Sequence, residues 1–244
     1  MREPESAPDL ACRVTTNLSS VRARIAAAAA RSGRDAAEVR LVAVSKTFGV
    51  EHVEAARSAG LLDLGENKVQ EAAGKKAATP SGTVTWHLIG HLQSNKVRLA
   101  AETFDWIHSI DSVGLLRRLD RAATDLHRRL NVLAQVDLAG EATKHGGSVE
   151  EVRRIVEAAT SCESITLRGL MVLPPWSPDP QTVRPFFRQL RELRETYATT
   201  VGGGLQLDQL SMGMSHDFEV AIEEGATMVR VGAAVFGPRT PPPR

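Results

Sequence analysis

Eight short apolar runs, each followed by a segment with helical spacing, set the strongest constraint on what this 244-residue chain can fold into. The runs fall at 41–45, 61–64, 86–89, 106–110, 132–136, 167–172, 209–212 and 228–231. Helical patterns lie between them at 50–59, 68–78, 96–102, 113–128, 149–161, 183–196 and 216–224, and a further helix is expected ahead of them at 15–32. Near-continuous apolar strands alternating with helices indicate a parallel sheet covered on both faces. Eight such units predict an α/β fold, a single closed (β/α)8 TIM-type barrel with an extra N-terminal helix. An open doubly wound sheet is the alternative, but it would carry a glycine-rich turn after its first strand, where Ser45-Lys46-Thr47 stands instead. Residues 1–12 read as a flexible tail, 13–237 as the barrel domain, and 238–244 as a second tail.

Composition removes several function classes. A chain 42% hydrophobic and 24% charged can bury a sizeable core. Thirty Lys and Arg against twenty-nine Asp and Glu leave a net charge of +1, so bulk attraction to nucleic acid or an anionic membrane is not expected. Aromatic residues at 4% argue against a stacking surface for single strands. Two cysteines, Cys12 and Cys162, cannot build a disulfide scaffold or a thiolate zinc cage. With no apolar stretch long enough to span a bilayer and no leader-like segment, a cytoplasmic protein is expected.

In such a barrel the chemistry sits at the C-terminal strand ends, and here those ends are polar. Lys46 directly follows Leu-Val-Ala-Val-Ser; a lysine held at that position is partly desolvated, which lowers its pKa and frees its amine to attack a carbonyl. Across the mouth, Gly232-Ala233-Ala234 is small enough to let a phosphate approach backbone N–H groups, and Ser215 is placed to cap a helix from His216, with Asp217 in its first turn. Arg230 stands two residues before the Gly232 turn. An imine-forming lysine facing a phosphate pocket implies an aldehyde-bearing phosphate ester, of which pyridoxal 5′-phosphate (PLP) is the obvious candidate.

Several separated motifs resemble one family: Val44-Ser45-Lys46-Thr47; Gly65-Glu66-Asn67 with Gln70-Glu71; His87-Leu88-Ile89-Gly90-His91-Leu92-Gln93-Ser94-Asn95-Lys96; Arg168-Gly169-Leu170-Met171; Leu210 to Asp217; and Val229 to Gly237. Together they resemble the pyridoxal-phosphate homeostasis proteins, relatives of the alanine racemase N-terminal barrel, over about residues 14–238. The resemblance implies an internal aldimine at Lys46, phosphate contacts from Ser211 or Ser215 and the backbone of Gly232 and Ala233, and Arg230 at the pyridine nitrogen. It further implies that Asn67 and His87 line the ring pocket and that Met212 belongs to the cofactor-binding set. Ala233 stands where relatives often carry Thr or Ser, and Gly49 replaces a common proline.

A guanidinium at the ring nitrogen donates a hydrogen bond and leaves that nitrogen unprotonated, which weakens the ring as an electron sink. The chain ends seven residues after Gly237, so the second domain that supplies a racemase base is expected to be absent. The sole tyrosine, Tyr197, is expected in helix packing. The resulting expectation is a PLP-binding homeostasis protein that buffers or delivers its cofactor, possible recipients being PLP-dependent apo-enzymes, and that acts as a monomer. A low-activity amino-acid racemase is the first alternative; a cofactor-free Schiff-base aldolase or isomerase is the second. His87 and His91 are not expected to pair on a metal. Lys144-His145-Gly146-Gly147 is read as either a mobile loop or a cover over the site, and Arg188, Arg191 and Arg194 as a solvated, salt-bridged face beside Glu192 and Glu195.

Overall fold

The structure is a computed structural model, describing residues 6–140, 145–200 and 205–238. Eight parallel strands close into a barrel in sequence order: β1 (Arg40–Val44), β2 (Asp63–Glu66), β3 (Thr85–Leu88), β4 (Trp106–Ile110), β5 (Leu130–Val136), β6 (Ile165–Val172), β7 (Gln209–Met214) and β8 (Met228–Val231). Closure is made by β1 against β8, with Leu41 opposite Val229 and Val42 opposite Arg230. The helices are α1 (Ala7–Arg31), α2 (Val50–Ser58), α3 (Val69–Ala77), α4 (Val97–Thr103), α5 (Val113–Asp125), α6 (Val149–Ala159), α7 (Arg184–Thr200), α8 (Phe218–Glu223) and α9 (Ala233–Phe236).

Strand alternation divides the core in two. Outward-facing residues such as Leu64, Trp86, Leu88, Ile107, Leu210 and Val229 pack under the helices, whereas Trp106, Leu133, Met171 and Met228 form a separate apolar group inside the barrel. Caps fix the helix starts: Ser112 accepts a hydrogen bond from Leu115 N (3.3 Å) and Ser148 from Glu151 N (3.2 Å).

The first helix starts at Ala7, ahead of the position 15 read from the sequence, so residues 7–12 are helical and not a tail. Ser6 caps it by accepting from Asp9 N at 3.3 Å, and Pro8 occupies the first turn, where its missing N–H costs nothing. Its face of Leu10, Val14, Leu18, Val21 and Ile25 is buried, and the helix packs against α2, α8 and α9. α9, the segment after β8, has only four residues. α1 therefore stands in the ring where an eighth helix is needed, between α8 and α2. It also binds α9: Arg13 donates to Phe236 O and Asn17 Nδ2 to Val235 O (3.0 Å).

The arginines of α7 are salt-bridged as read, but most of their partners lie at the end of α8. Arg184, Arg188 and Arg191 reach across to Glu223 and Glu224 at the end of α8, so the face is an interhelical ion-pair cluster. Arg194 (3.5 Å) and Arg191 Nε (3.8 Å) meet Glu195. Tyr197 is buried, its hydroxyl donating to Val149 O (2.9 Å), within helix packing as read. Positions 239–244 and Lys144 lie outside the described residues.

Candidate functional site

At the C-terminal end of the barrel a cavity of about 660 Å³ collects the ends of the strands. Six of the nine residues named from the sequence line it: Lys46, Asn67, Ser215, Arg230, Gly232 and Ala233. Lys46 follows β1 directly. Its loop is braced from below by Lys75, whose ammonium donates to Ser45 O (2.8 Å), Glu66 Oε1 (2.7 Å) and Glu71 Oε1 (2.8 Å). Glu66 also accepts from Ser45 Oγ (2.6 Å); it is fully buried, and burial pushes its carboxyl above the ordinary range against the pull of Lys75 and Ser45. Glu71 in turn accepts from Thr47 N at 2.7 Å, holding Thr47 at φ +70°.

Asn67 is placed by glycine. A Cβ at Gly90 would lie 2.4 Å from Asn67 O, so only glycine lets the end of β3 close on this backbone. The two loops across the mouth are joined by Gly232 N, which donates to Ser215 Oγ at 3.2 Å. That bond corrects the expected cap at Ser215. The helix starts later, at Phe218, and the residue flanking it is Asp217, which takes Met214 N (2.6 Å). Asp217 is buried, and burial raises its carboxyl despite that N–H and the nearby Arg230.

The remaining three residues do not line the cavity. Met212 packs in the helix-side core, because alternate residues of β7 face opposite ways. Ser211 and His87 face the barrel interior beneath the cavity floor and are both fully buried. Ser211 accepts from Arg230 NH1 (2.6 Å) and contacts His108 Nδ1 (2.8 Å). His108 Nε2 lies 3.0 Å from His87 Nδ1, and His87 Nε2 lies 2.9 Å from Asp63 Oδ1. Arg230 NH2 also donates to Val172 O (2.9 Å), and burial pulls the guanidinium down to about 10, so it stays protonated at neutral pH.

Sequence reasoning missed His108, although a histidine inside the apolar strand Trp-Ile-His-Ser-Ile is a visible anomaly. It also left His91 and His216 out of the site, and placed His145 there only within the segment read as a cover or a mobile loop. His91 and His145 stack with centroids 3.8 Å apart, and His91 Nδ1 lies 3.3 Å from Asp111. Trp176 and His216 form a looser pair at 6.3 Å; all four rings line the cavity. His145, two residues before the bridge between Val136 and Gly147, lines the cavity. His87 and His91 are separated, one in the interior and one at the rim.

A closed eight-stranded barrel with a lysine at the end of β1 and an arginine on β8 defines a class. Residues 16–240 match the family described as alanine racemase, N-terminal domain, and the chain belongs to that family. Among its relatives is the pyridoxal phosphate homeostasis protein of Pseudomonas aeruginosa, 44% identical over 226 residues, which cover 93% of this chain and 96% of the relative. The protein of the same name from Escherichia coli K12 is 41% identical over 229 residues, 93% of this chain and 97% of that one. PipY of Synechococcus elongatus, whose structure was solved with PLP bound, is 37% identical with a TM-score of 0.82, covering 92% of this chain and 100% of PipY. Alanine racemase of Corynebacterium glutamicum, at 16% identity and a TM-score of 0.70 over 94% of this chain and 62% of its own, shares the fold.

Proposed function

We propose that this chain binds pyridoxal 5′-phosphate at Lys46 and serves to hold and release it. One observation carries the reading: Lys46, Arg230 and the Ser215–Gly232 bridge converge on a single cavity at the C-terminal end of the barrel. The donor set fits the cofactor. An amine stands on one side; on the other, small residues at Gly232 and Ala233 begin a helical turn whose first N–H groups have no intrahelical acceptor. The volume suits a ligand of this size. Relatives at about 40% identity that carry the homeostasis name support the role, and PipY with PLP bound supports the ligand.

When bound, the cofactor supplies an aldehyde that condenses with an amine and a ring that can take up electron density. The protein's own residues restrain the second property. Arg230 keeps its proton at neutral pH, and would donate to a ring nitrogen held there without protonating it. Tyr197 is occupied in helix packing and is not among the residues lining the cavity. Both features favour a carrier over a racemase. Action as a monomer, residence in the cytoplasm and hand-over to PLP-dependent apo-enzymes complete the proposal.

The purified protein should show a visible absorbance band with PLP, and borohydride should fix the cofactor to the peptide containing Lys46. Lys46→Ala should lose both. A protein that takes up no added PLP sinks the proposal; solvent deuterium entering Cα of amino acids at an enzymatic rate would replace the carrier with a racemase.

A further inference from the structure

Below the cavity runs a line of polar side chains, buried from His87 to Arg230 and part-exposed at Asp63, that holding a ligand does not by itself require. It begins at Asp63, at the start of β2 beside Arg40 NH1 (3.7 Å), passes through His87 on β3, His108 on β4 and Ser211 on β7, and ends at Arg230 on β8. Buried imidazoles are costly unless both ring nitrogens are satisfied, and here each nitrogen has a partner within 3.0 Å.

The protons in this line can be placed from its ends. A carboxylate only accepts and a guanidinium only donates. His87 must therefore present Nε2–H to Asp63 and, because burial keeps the imidazole neutral, its Nδ1 is bare. That nitrogen accepts Nε2–H of His108, whose own Nδ1 is then bare and accepts the Ser211 hydroxyl proton. The Ser211 oxygen is left with lone pairs for Arg230. Every donor in the line points the same way, and both histidines are neutral. Burial, the leading cause in each case, lowers both imidazoles below their ordinary value; Asp63 opposes this at His87, while Arg230, Arg40 and the other ring reinforce it at His108.

We infer that Asp63, His87, His108 and Ser211 form a one-directional hydrogen-bond relay that positions Arg230, fixing NH1 from behind so that the guanidinium presents donors to the cavity. Ser211 holds NH1 and Val172 O holds NH2, which restricts rotation of the planar group about its long side chain. In this arrangement His87 and Ser211 touch no ligand; they act through Arg230. The part that concerns the cofactor's ring nitrogen rests on the proposed PLP site, whereas the relay itself does not.

Two measurements test it. In ligand-free protein labelled with 15N-histidine, long-range proton–nitrogen spectra should show His87 and His108 each with a protonated Nε2 and a bare Nδ1, at pH 6 and pH 8 alike. A proton on Nδ1 of either ring, or titration of either between those values, overturns the relay whatever the protein binds. The second measurement is titration with PLP followed by visible absorbance. Ser211→Ala should weaken binding about ten-fold, the value of one hydrogen bond to a charged group, and shift the bound band; Ser211→Thr, which keeps the hydroxyl, should restore the band. His108→Phe leaves Ser211 in place and should produce the same shift. Unchanged affinity and band in both Ser211→Ala and His108→Phe overturn the positioning role, as does a shift in Ser211→Ala alone. If the wild-type chain binds no PLP, the proposed function fails while the histidine spectra still decide the relay.

Discussion

Thr47, one residue past the candidate attachment lysine, holds a backbone conformation that β-branched residues avoid, at a cost of about 1–3 kcal/mol. What keeps it there is the Glu71 carboxylate on its N–H, itself locked by buried Lys75. Thr47→Gly should relieve the strain and raise the unfolding free energy by about 0.5–1 kcal/mol in urea titrations. The same change should weaken PLP binding, because the turn that aims Lys46 becomes free to sample other conformations; a loss of stability would show that the turn is not strained. Lys46 itself was legible in the sequence, since an ammonium after a continuous apolar strand is out of place. Lys75 was not. Within Glu-Ala-Ala-Gly-Lys-Lys-Ala it reads as a helix-surface lysine, and only the fold shows its ammonium buried among Glu66, Glu71 and Ser45 O.

At the scale of elements, α1 is the helix on which ring closure depends. Leu18, 2% exposed on its buried face, packs in the outer core. Leu18→Ala should cost about 2–5 kcal/mol and, for a chain of this size, lower the thermal midpoint by about 5–15 °C, measurable by circular dichroism; a change within about 1 °C would mean that α1 does not close the ring. Strand and helix identities were legible because period-2 and period-3.6 patterns are local. The start of α1 was not, because Pro4 and Pro8 look like breakers, while Ser6 with Pro8 and Asp9 is an N-terminal signal. Nor could a local pattern show that a helix preceding β1 would take the ring position that follows β8.

Across the whole molecule, the interior histidines tie stability to pH. His87 and His108 are held neutral in the fold but have an ordinary value near 6.5 when unfolded. Below about pH 6.5 the unfolded chain binds protons that the native chain refuses, so stability falls, by up to about 1.4 kcal/mol per pH unit for each histidine. Glu66 and Asp217, raised by burial, act in the opposite sense and favour the native state as pH drops through their folded values. The urea midpoint should therefore fall between pH 7 and 5.5, and His108→Phe should flatten that fall; a midpoint independent of pH over this range would contradict neutral interior imidazoles. The barrel and the mouth were legible because they follow from strand count and strand ends. The relay was not, because register around a closed sheet decides which of five separated residues meet.

The join between α1 and α9 has a consequence for folding. The helix ahead of β1 bonds to the carbonyls of Val235 and Phe236, with partners 218 and 223 positions apart in sequence. Closing the ring of helices therefore rests on strongly non-local contacts, whose loop entropy must be met before they add any stability.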